Sequence, residues 1–492
     1  LKDYESSKNK ELRNSLVNSA LKKAIRSKPA PLYIASKAKN ISTGNFTDDF
    51  EKIQDCDWII EVVVERLDIK KLIFEKVDHF RKKDALVSSN TSGIPIHSMI
   101  SGRSDEFKAH FFGSHFFNPA RYLKLLEIIP TNATKNEIID FMMDFGERIL
   151  GKSTVLCKDT PAFIANRVGV FAIQELFHIV DQMNLTVSEV DFLTGPVMGR
   201  PKSATFRTCD VVGLDTLIHV ANGLKLNCTE DERKSIFELP SFINIMNENN
   251  WLGSKSGQGF YKKTVSKEGK KSILELDLKT FEYKIPQKPK YQTINKAKST
   301  DNLSERMKIL FEGKDKAGEF YRKVFTGLFS YAACRIPEIS NEIFRLDKAM
   351  KAGFGWELGP FEIWDAVGFE NGINAVKEAN LQLPNWVISM QKNKKSSFYK
   401  IEKGLKYYYD LNENKHIKSP GGNNHISLGD LDESATVWKN EEASIKDLGD
   451  GIINVEFHSK MNTIGGGILN ALNHAIDIAE KGLYKGVVIS NE

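Results

Sequence analysis

The chain has 492 residues, 41% of them hydrophobic and 27% charged, more than one core can serve at about 100–200 residues per domain. No stretch approaches the roughly 18 uninterrupted apolar residues of a membrane span. A formal charge of +5, with lysines spread over polar helix faces and linkers, speaks against nucleic acid as a partner. The five cysteines lie far apart with no CxxC pair, so neither a zinc site nor a disulfide framework is implied and a reducing cytoplasm fits. The first residues, LKDYESSKNK, lack both an initiator Met and the apolar core of a signal peptide, and the natural start is expected to lie upstream.

Residues 10–28 repeat apolar positions at helical spacing until Pro29 and Pro31 break the pattern. The run WIIEVVV (Trp58 to Val64) does not alternate, and reads as a strand buried on both faces. Helical spacing returns from Leu67 to Phe80, and ALVSSNTSG then reads as a strand entering a polar turn. Strand, helix and strand in that order predict a parallel βαβ unit of a doubly wound sheet, whose ligands collect where the parallel strands end. Next comes GSHFFNPARYLKLLEIIP (Gly113 to Pro130), two apolar strands around an Asn-Pro turn, one carrying His115 and the other Glu127.

From Asp159 the character becomes helical: Asp159 or Thr160 is the predicted N-cap, with Pro161 in the first turn. This unit closes at GSKSGQGFYKK (Gly253 to Lys263), and the Lys-, Gln-, Thr- and Ser-rich stretch to Ser304 reads as an irregular connection. Helical patterning resumes at Glu305. DFLTGPVMGRPKSATFRTCDVVGLD (Asp191 to Asp215) and DKAMKAGFGWELGPFEIWDAVGFE (Asp347 to Glu370) share an ordered set of Asp, Gly and Phe positions with one length difference, which predicts two homologous helical units. After Gly404 the pattern turns strand-like, and residues 445–492 read as strand, helix and a buried-type strand KGVVIS.

SSNTSG, SHFFNPARYLKLLEIIP, CKDTPAFIANRV, GRPKSATFRTCDVVGLD and GSKSGQGFY resemble, in order and spacing, the 3-hydroxyacyl-CoA dehydrogenases of fatty-acid β-oxidation. The end, FHSKMNTIGGGILNALNHAI leading to KGVVISN, is similar to the fusion enzymes in which a crotonase-like enoyl-CoA hydratase domain follows the dehydrogenase. The resemblance implies an α/β Rossmann-like domain over 1–157, a helical dehydrogenase C-terminal domain over 158–263 and a linker over 264–304. A second such helical domain over 305–405, a connection over 406–444 and the start of a crotonase-like α/β domain over 445–492 follow. The family's strand–GxGxxG–helix opening and its ribose-binding acid are missing from the sequence, so the first βα unit and the rest of the hydratase are expected outside it.

Oxidising a secondary alcohol moves a hydride from carbon and a proton from oxygen, and an imidazole suits the proton. The resemblance assigns His115 as that base and Glu127 as the partner fixing its tautomer. It places Ser92 at the substrate hydroxyl and nicotinamide, Asn166 against substrate near the reacting carbon, Glu65 and Lys70 around the cofactor's ribose and phosphates, and Ser15 and Lys22 on coenzyme A. It implies NAD as cofactor, a 3-hydroxyacyl-CoA substrate, an acetyl-CoA acyltransferase (thiolase) partner and a homo-oligomer, with no metal. His458 is given no chemical role. Two alternatives stay open: a dehydrogenase of another hydroxy acid, and a non-catalytic acyl-CoA-binding scaffold.

Overall fold

The computed structural model describes residues 9–265, 269, 271–402, 405–420, 426, 428–431 and 433–491. They form two compact units, Leu1–Val387 and Ile388–Glu492.

The first unit opens with the helices Lys10–Arg13 and Ser15–Arg26 and then builds one five-stranded sheet. Its strands are β1 (Trp58–Glu61), β2 (Leu86–Ser89), β3 (Phe111–Phe116), β4 (Leu125–Pro130) and β5 (Ser153–Leu156), in that spatial order. β1, β2 and β3 run parallel, β4 is antiparallel to β3, and β5 is parallel to β4. The expected βαβ unit is β1, the helix Leu67–Phe80 and β2. Both faces of the sheet are covered. Phe112, Leu126 and Ile128 meet Ile138 and Met142 of the helix Asn136–Arg148, and Phe111 meets Phe74 of the 67–80 helix edge to face at 4.9 Å.

Three expectations are corrected here. β1 stops at Glu61, short of Val64, because the Glu61 carboxylate turns back to accept the Val63 amide at 2.5 Å. The first long helix of the helical part is Ala165–Met183 and does not start at Asp159 or Thr160. Ala162 and Phe163 hold positive φ (60° and 54°), which breaks a right-handed helix, and Asp159 instead accepts the amides of Ile96 and His97, both at 2.8 Å, capping the helix Ile96–Met99. Much of the stretch read as an irregular connection is ordered. An antiparallel sheet of Tyr261–Val265, Lys271–Leu276 and Tyr283–Lys284 precedes the helix Gln292–Lys298. Its lysines sit on the outer positions of strands whose Leu276 and Glu275 turn inward, which is why composition alone reads as a linker.

The duplicated segments fold alike. The Asp191 carboxylate accepts the amides of Thr205, Phe206 and Arg207 at the start of the helix Phe206–Val212. Asp347 does the same for Phe361 and Glu362 at the start of Pro360–Val367. Eight residues beyond each aspartate, Gly199 and Gly355 both hold φ 67°, and Gly213 and Gly368 both hold φ 104° before the next helix. The left-handed positions explain the recurring glycines. The two helical repeats, both within the first compact unit, pack through the helices 165–183, Lys316–Cys334 and Ile343–Phe354, with Phe171 stacked on Tyr331 at 3.6 Å and Arg167 bound to Asp231 at 2.7 Å and to the Tyr331 hydroxyl at 2.6 Å.

In the second unit, Leu405–Asp410 and Lys415–Lys418 pair as a hairpin. Thr436–Lys439, Ala443–Gly449, Ile452–Phe457 and Gly486–Ile489 make a four-stranded sheet. The last two strands are parallel across the helix Gly466–Glu480, as read, and Ile445, Ile453 and Val455 pack on Ile468, Ala471 and Ala475. The strand in KGVVIS is Gly486–Ile489.

Each Asp cap tests the repeat. Asp191→Ala and Asp347→Ala should each cost about 2 kcal/mol in guanidinium unfolding, the size of a lost helix cap with its amides left bare. Asp210, 2% exposed and accepting the Phe260 and Tyr261 amides, carries a carboxyl that burial pushes up to about 6. The native state then holds a proton that the unfolded chain, at about 4, has released. Stability is expected to fall as pH rises from about 4 through 6, and because burial pushes Asp191 up to about 6 as well, Asp210→Asn should reduce that slope without removing it.

Candidate active site

His115 and Glu127 lie directly opposite each other in the β3–β4 register, on the face that also carries Phe111 and Gly113. His115 Nδ1 sits 2.7 Å from Glu127 Oε2, with the His115 side chain 8% and the Glu127 side chain 0% exposed. Glu127 Oε1 accepts the amides of Ile164 (3.2 Å) and Ala165 (2.9 Å). Those amides open the 165–183 helix, which has no side-chain cap of its own, so a carboxylate from the sheet fills the place of a cap and sits at the positive end of the helix dipole. With Glu127 as carboxylate, Nδ1 donates, and Nε2 is left as the basic nitrogen. The rings of Phe117 (4.7 Å between centroids) and Phe163 (5.6 Å) flank the imidazole. Burial, then the charge of Glu127 beside it, pushes the Cys157 thiol well up, leaving it a neutral neighbour.

The carboxyl ends of β1, β2 and β3 share the edge where His115 lies. Asn90, missed from sequence, ties them: its amide donates to the Glu61 carbonyl at 2.9 Å and its side-chain oxygen accepts from the Phe116 amide at 2.9 Å. Ser92 follows β2 in the same turn. Its amide donates to Glu65 Oε1 at 3.0 Å, and the Thr91 hydroxyl donates to that oxygen too. Burial alone would raise the Glu65 carboxyl, but the Thr91 hydroxyl, the Lys70 ammonium and the Ser92 amide outweigh it and hold it below its usual range.

Lys70 is 1% exposed. Its Nζ donates to both Glu61 oxygens (2.9 and 3.0 Å) and lies 3.2 Å from Glu65 Oε2. Glu61, which the sequence reading passed over, also accepts the Ser89 hydroxyl at 2.5 Å. A buried lysine three residues into a helix, following a strand that ends in Glu, was the available signal. Asn166 is the second residue of its helix, in the first turn and half-buried. The Ser92 turn reaches that helix start, since a methyl on Gly93 would lie 3.9 Å from the Ala162 nitrogen.

Ser15 and Lys22 lie on the 15–26 helix. The Ser15 hydroxyl donates to the Leu12 carbonyl at 2.7 Å, and Lys22 is exposed. The segment after that helix is held beside the β3–β4 turn by Tyr122, whose hydroxyl donates to the Ala30 carbonyl at 3.1 Å, and by Arg121 over the Tyr33 ring at 3.7 Å. A cavity of about 650 Å³ lined by His97, Asn132, Lys158, Thr160 and Arg345 opens at the opposite edge, beside the ends of β4 and β5. Its cations already have partners, Arg345 an ion pair with Glu342 and Lys158 a hydrogen bond to the Pro337 carbonyl.

Residues 1–160 match the family model described as 3-hydroxyacyl-CoA dehydrogenase, NAD binding domain, and residues 163–263 match the 3-hydroxyacyl-CoA dehydrogenase, C-terminal domain. A probable 3-hydroxyacyl-CoA dehydrogenase of Deinococcus radiodurans is 44% identical over 258 residues, 52% of this chain and 74% of that protein. The chain belongs to the 3-hydroxyacyl-CoA dehydrogenase family. A probable 3-hydroxyacyl-CoA dehydrogenase of Bacillus subtilis is 46% identical over 98% of this chain, and a putative fatty acid oxidation complex trifunctional enzyme of Rickettsia prowazekii 29% identical over 96%. The chain spans 60% and 61% of those two proteins. The crystal structure of 3-hydroxybutyryl-CoA dehydrogenase from Escherichia coli K12 shares the fold, with TM-score 0.53 and 18% identity over 75% of this chain and 85% of that one. The family's two-part architecture, a Rossmann-like NAD-binding domain and a helical C-terminal domain, thus meets at Glu127.

Glu127→Ala would leave two buried amides and His115 Nδ1 without their acceptor, at a cost of about 3–5 kcal/mol. Glu127→Gln keeps an oxygen for the amides and should lose clearly less. Urea unfolding of the two variants beside the parent measures the order.

Proposed function

We propose that these residues carry out the oxidation of an L-3-hydroxyacyl-CoA to the 3-oxoacyl-CoA with NAD⁺ as acceptor, within fatty-acid β-oxidation. The observation that carries the reading is the buried His115–Glu127 pair at the strand ends, with the free ring nitrogen on the side away from Glu127. His115 Nε2 takes the hydroxyl proton, and Glu127 steadies the imidazolium that results. NAD⁺, when bound, accepts the hydride from the same carbon. A half-exposed Glu65 carboxylate at the ends of β1 and β2 fits a ribose hydroxyl there, and Lys70 acts through Glu65, holding it in place from beneath. Ser92, in the turn after β2, and Asn166, in the first turn of the 165–183 helix, orient the hydroxyl and the thioester. Ser15 and Lys22 meet the coenzyme A part.

The same reading takes the strand–helix–strand arrangement of 445–492 as the start of a crotonase-like domain. The trifunctional name of the Rickettsia relative supports this. A 3-oxoacyl-CoA product calls for a thiolase as the next enzyme, the subunits associate as a homo-oligomer, and five free cysteines suit the cytoplasm. Among the described residues no helix is long and apolar enough to cross a membrane.

In the full-length protein, His115→Gln should lower kcat for 3-hydroxyacyl-CoA by about 10²–10⁴-fold, read as NADH absorbance, with acyl-CoA affinity little changed. Equal turnover in mutant and parent removes His115 from the mechanism. Activity on free hydroxy acids equal to that on their CoA thioesters would favour a different substrate class.

A further inference from the structure

The second helical unit reaches the site. The 343–354 helix ends at Gly353 and Phe354, immediately before the left-handed Gly355. A methyl on Gly353 would lie 2.7 Å from Leu125 Cδ2, 3.4 Å from Phe117 Cε1 and 3.5 Å from Ala165 Cβ. The end of this helix is therefore wedged between the start of β4, the ring beside His115 and the first residue of the 165–183 helix. The Phe354 ring fills the space over Gly169, where a methyl would collide with it, and stands 6.2 Å from the Phe117 ring, edge to face. Gly169 lies three residues after Asn166 and so shares its helix face.

Phe163 and Phe117 flank His115, and Phe354 stands next to Phe117. Phe163 is fully buried, whereas Phe117 and Phe354 keep part of their rings exposed. Beyond its hydroxyl-bearing carbon the substrate continues one way to the thioester and the other to the hydrocarbon tail, and only the tail is satisfied by an aromatic wall. We infer that Phe354, supplied by the duplicated helical unit, is a specificity-determining residue that forms the wall against which the acyl tail of the substrate ends. This rests on the dehydrogenase reading above. It makes the duplicated unit part of the substrate site and not solely a packing partner.

The test is kcat/KM for 3-hydroxybutyryl-CoA and 3-hydroxyhexadecanoyl-CoA in the full-length parent, Phe354→Ala, Phe354→Leu and Phe354→Trp, each checked for a cooperative melt. Opening the wall should raise the long-to-short ratio about tenfold in Phe354→Ala, less in Phe354→Leu, and Phe354→Trp should lower it, as expected when a pocket gains or loses a few methylenes of room. If Phe354→Ala does not fold, the opposite shifts of Leu and Trp decide. An unchanged ratio in the folded variants, whatever their absolute rates, overturns the inference. A parent inactive on both thioesters would instead overturn the dehydrogenase reading, so the two failures are separable.

Discussion

Everything at the site hangs on one carboxylate. Glu127 uses one oxygen on His115 Nδ1 and the other on the amides of Ile164 and Ala165. A helix start leaves its first amides without partners, and a carboxylate buried at 0% exposure needs donors on both oxygens. Each requirement answers the other. The sheet cannot hold Glu127 without the helix arriving at that point, and the helix cannot bring Asn166 there without the sheet. The positive φ at Ala162 and Phe163 is the local cost of that arrival, because the chain must turn sharply after β5 to aim the helix at Glu127.

The duplication follows the same economy at a larger scale. In both helical units an aspartate caps a helix some fourteen residues on, and glycines in left-handed conformations set the turns between. Two copies of one bent motif present similar faces, and they pack through long helices and the Arg167–Asp231–Tyr331 cluster. Arg167 and Asp231 are both nearly fully buried, so the pair is stable only as a set, each charge dependent on its partner. The helix that carries Asn166 at its start thus carries, one residue later, the anchor of the second unit.

The residues that were legible in the sequence are those whose local pattern and chemistry coincide. The βαβ order, the strand pair bearing His115 and Glu127 and the repeated Asp and Gly positions all follow from spacing. What failed did so for physical reasons. Asp159 and Pro161 offer every local sign of a helix start, but Asp159 is spent on the amides of Ile96 and His97, 63 and 62 residues earlier in the chain, a choice only tertiary structure makes. WIIEVVV reads as one strand to Val64, but the Glu61 side chain accepts the Val63 amide and the strand ends at Glu61. The part played by Phe354 has no motif at all, since it depends on which helix end meets which hairpin.

Lys70 makes the last point about how the site is held. A lysine at 1% exposure between two glutamates is an expensive way to stabilise a fold, since desolvating such charges costs several kcal/mol per ion and an apolar cluster of equal volume would do as well or better. Yet the cluster is directional where an apolar one is not. Glu61 gathers the Lys70 ammonium, the Ser89 hydroxyl and the Val63 amide. Lys70 then fixes Glu65, and Glu65 fixes the Ser92 turn. Each member has donors or acceptors that only the next can meet, so the position of Ser92 is set by a chain of hydrogen bonds rooted in the end of β1. Apolar packing would fill the same volume and leave the turn free to choose another.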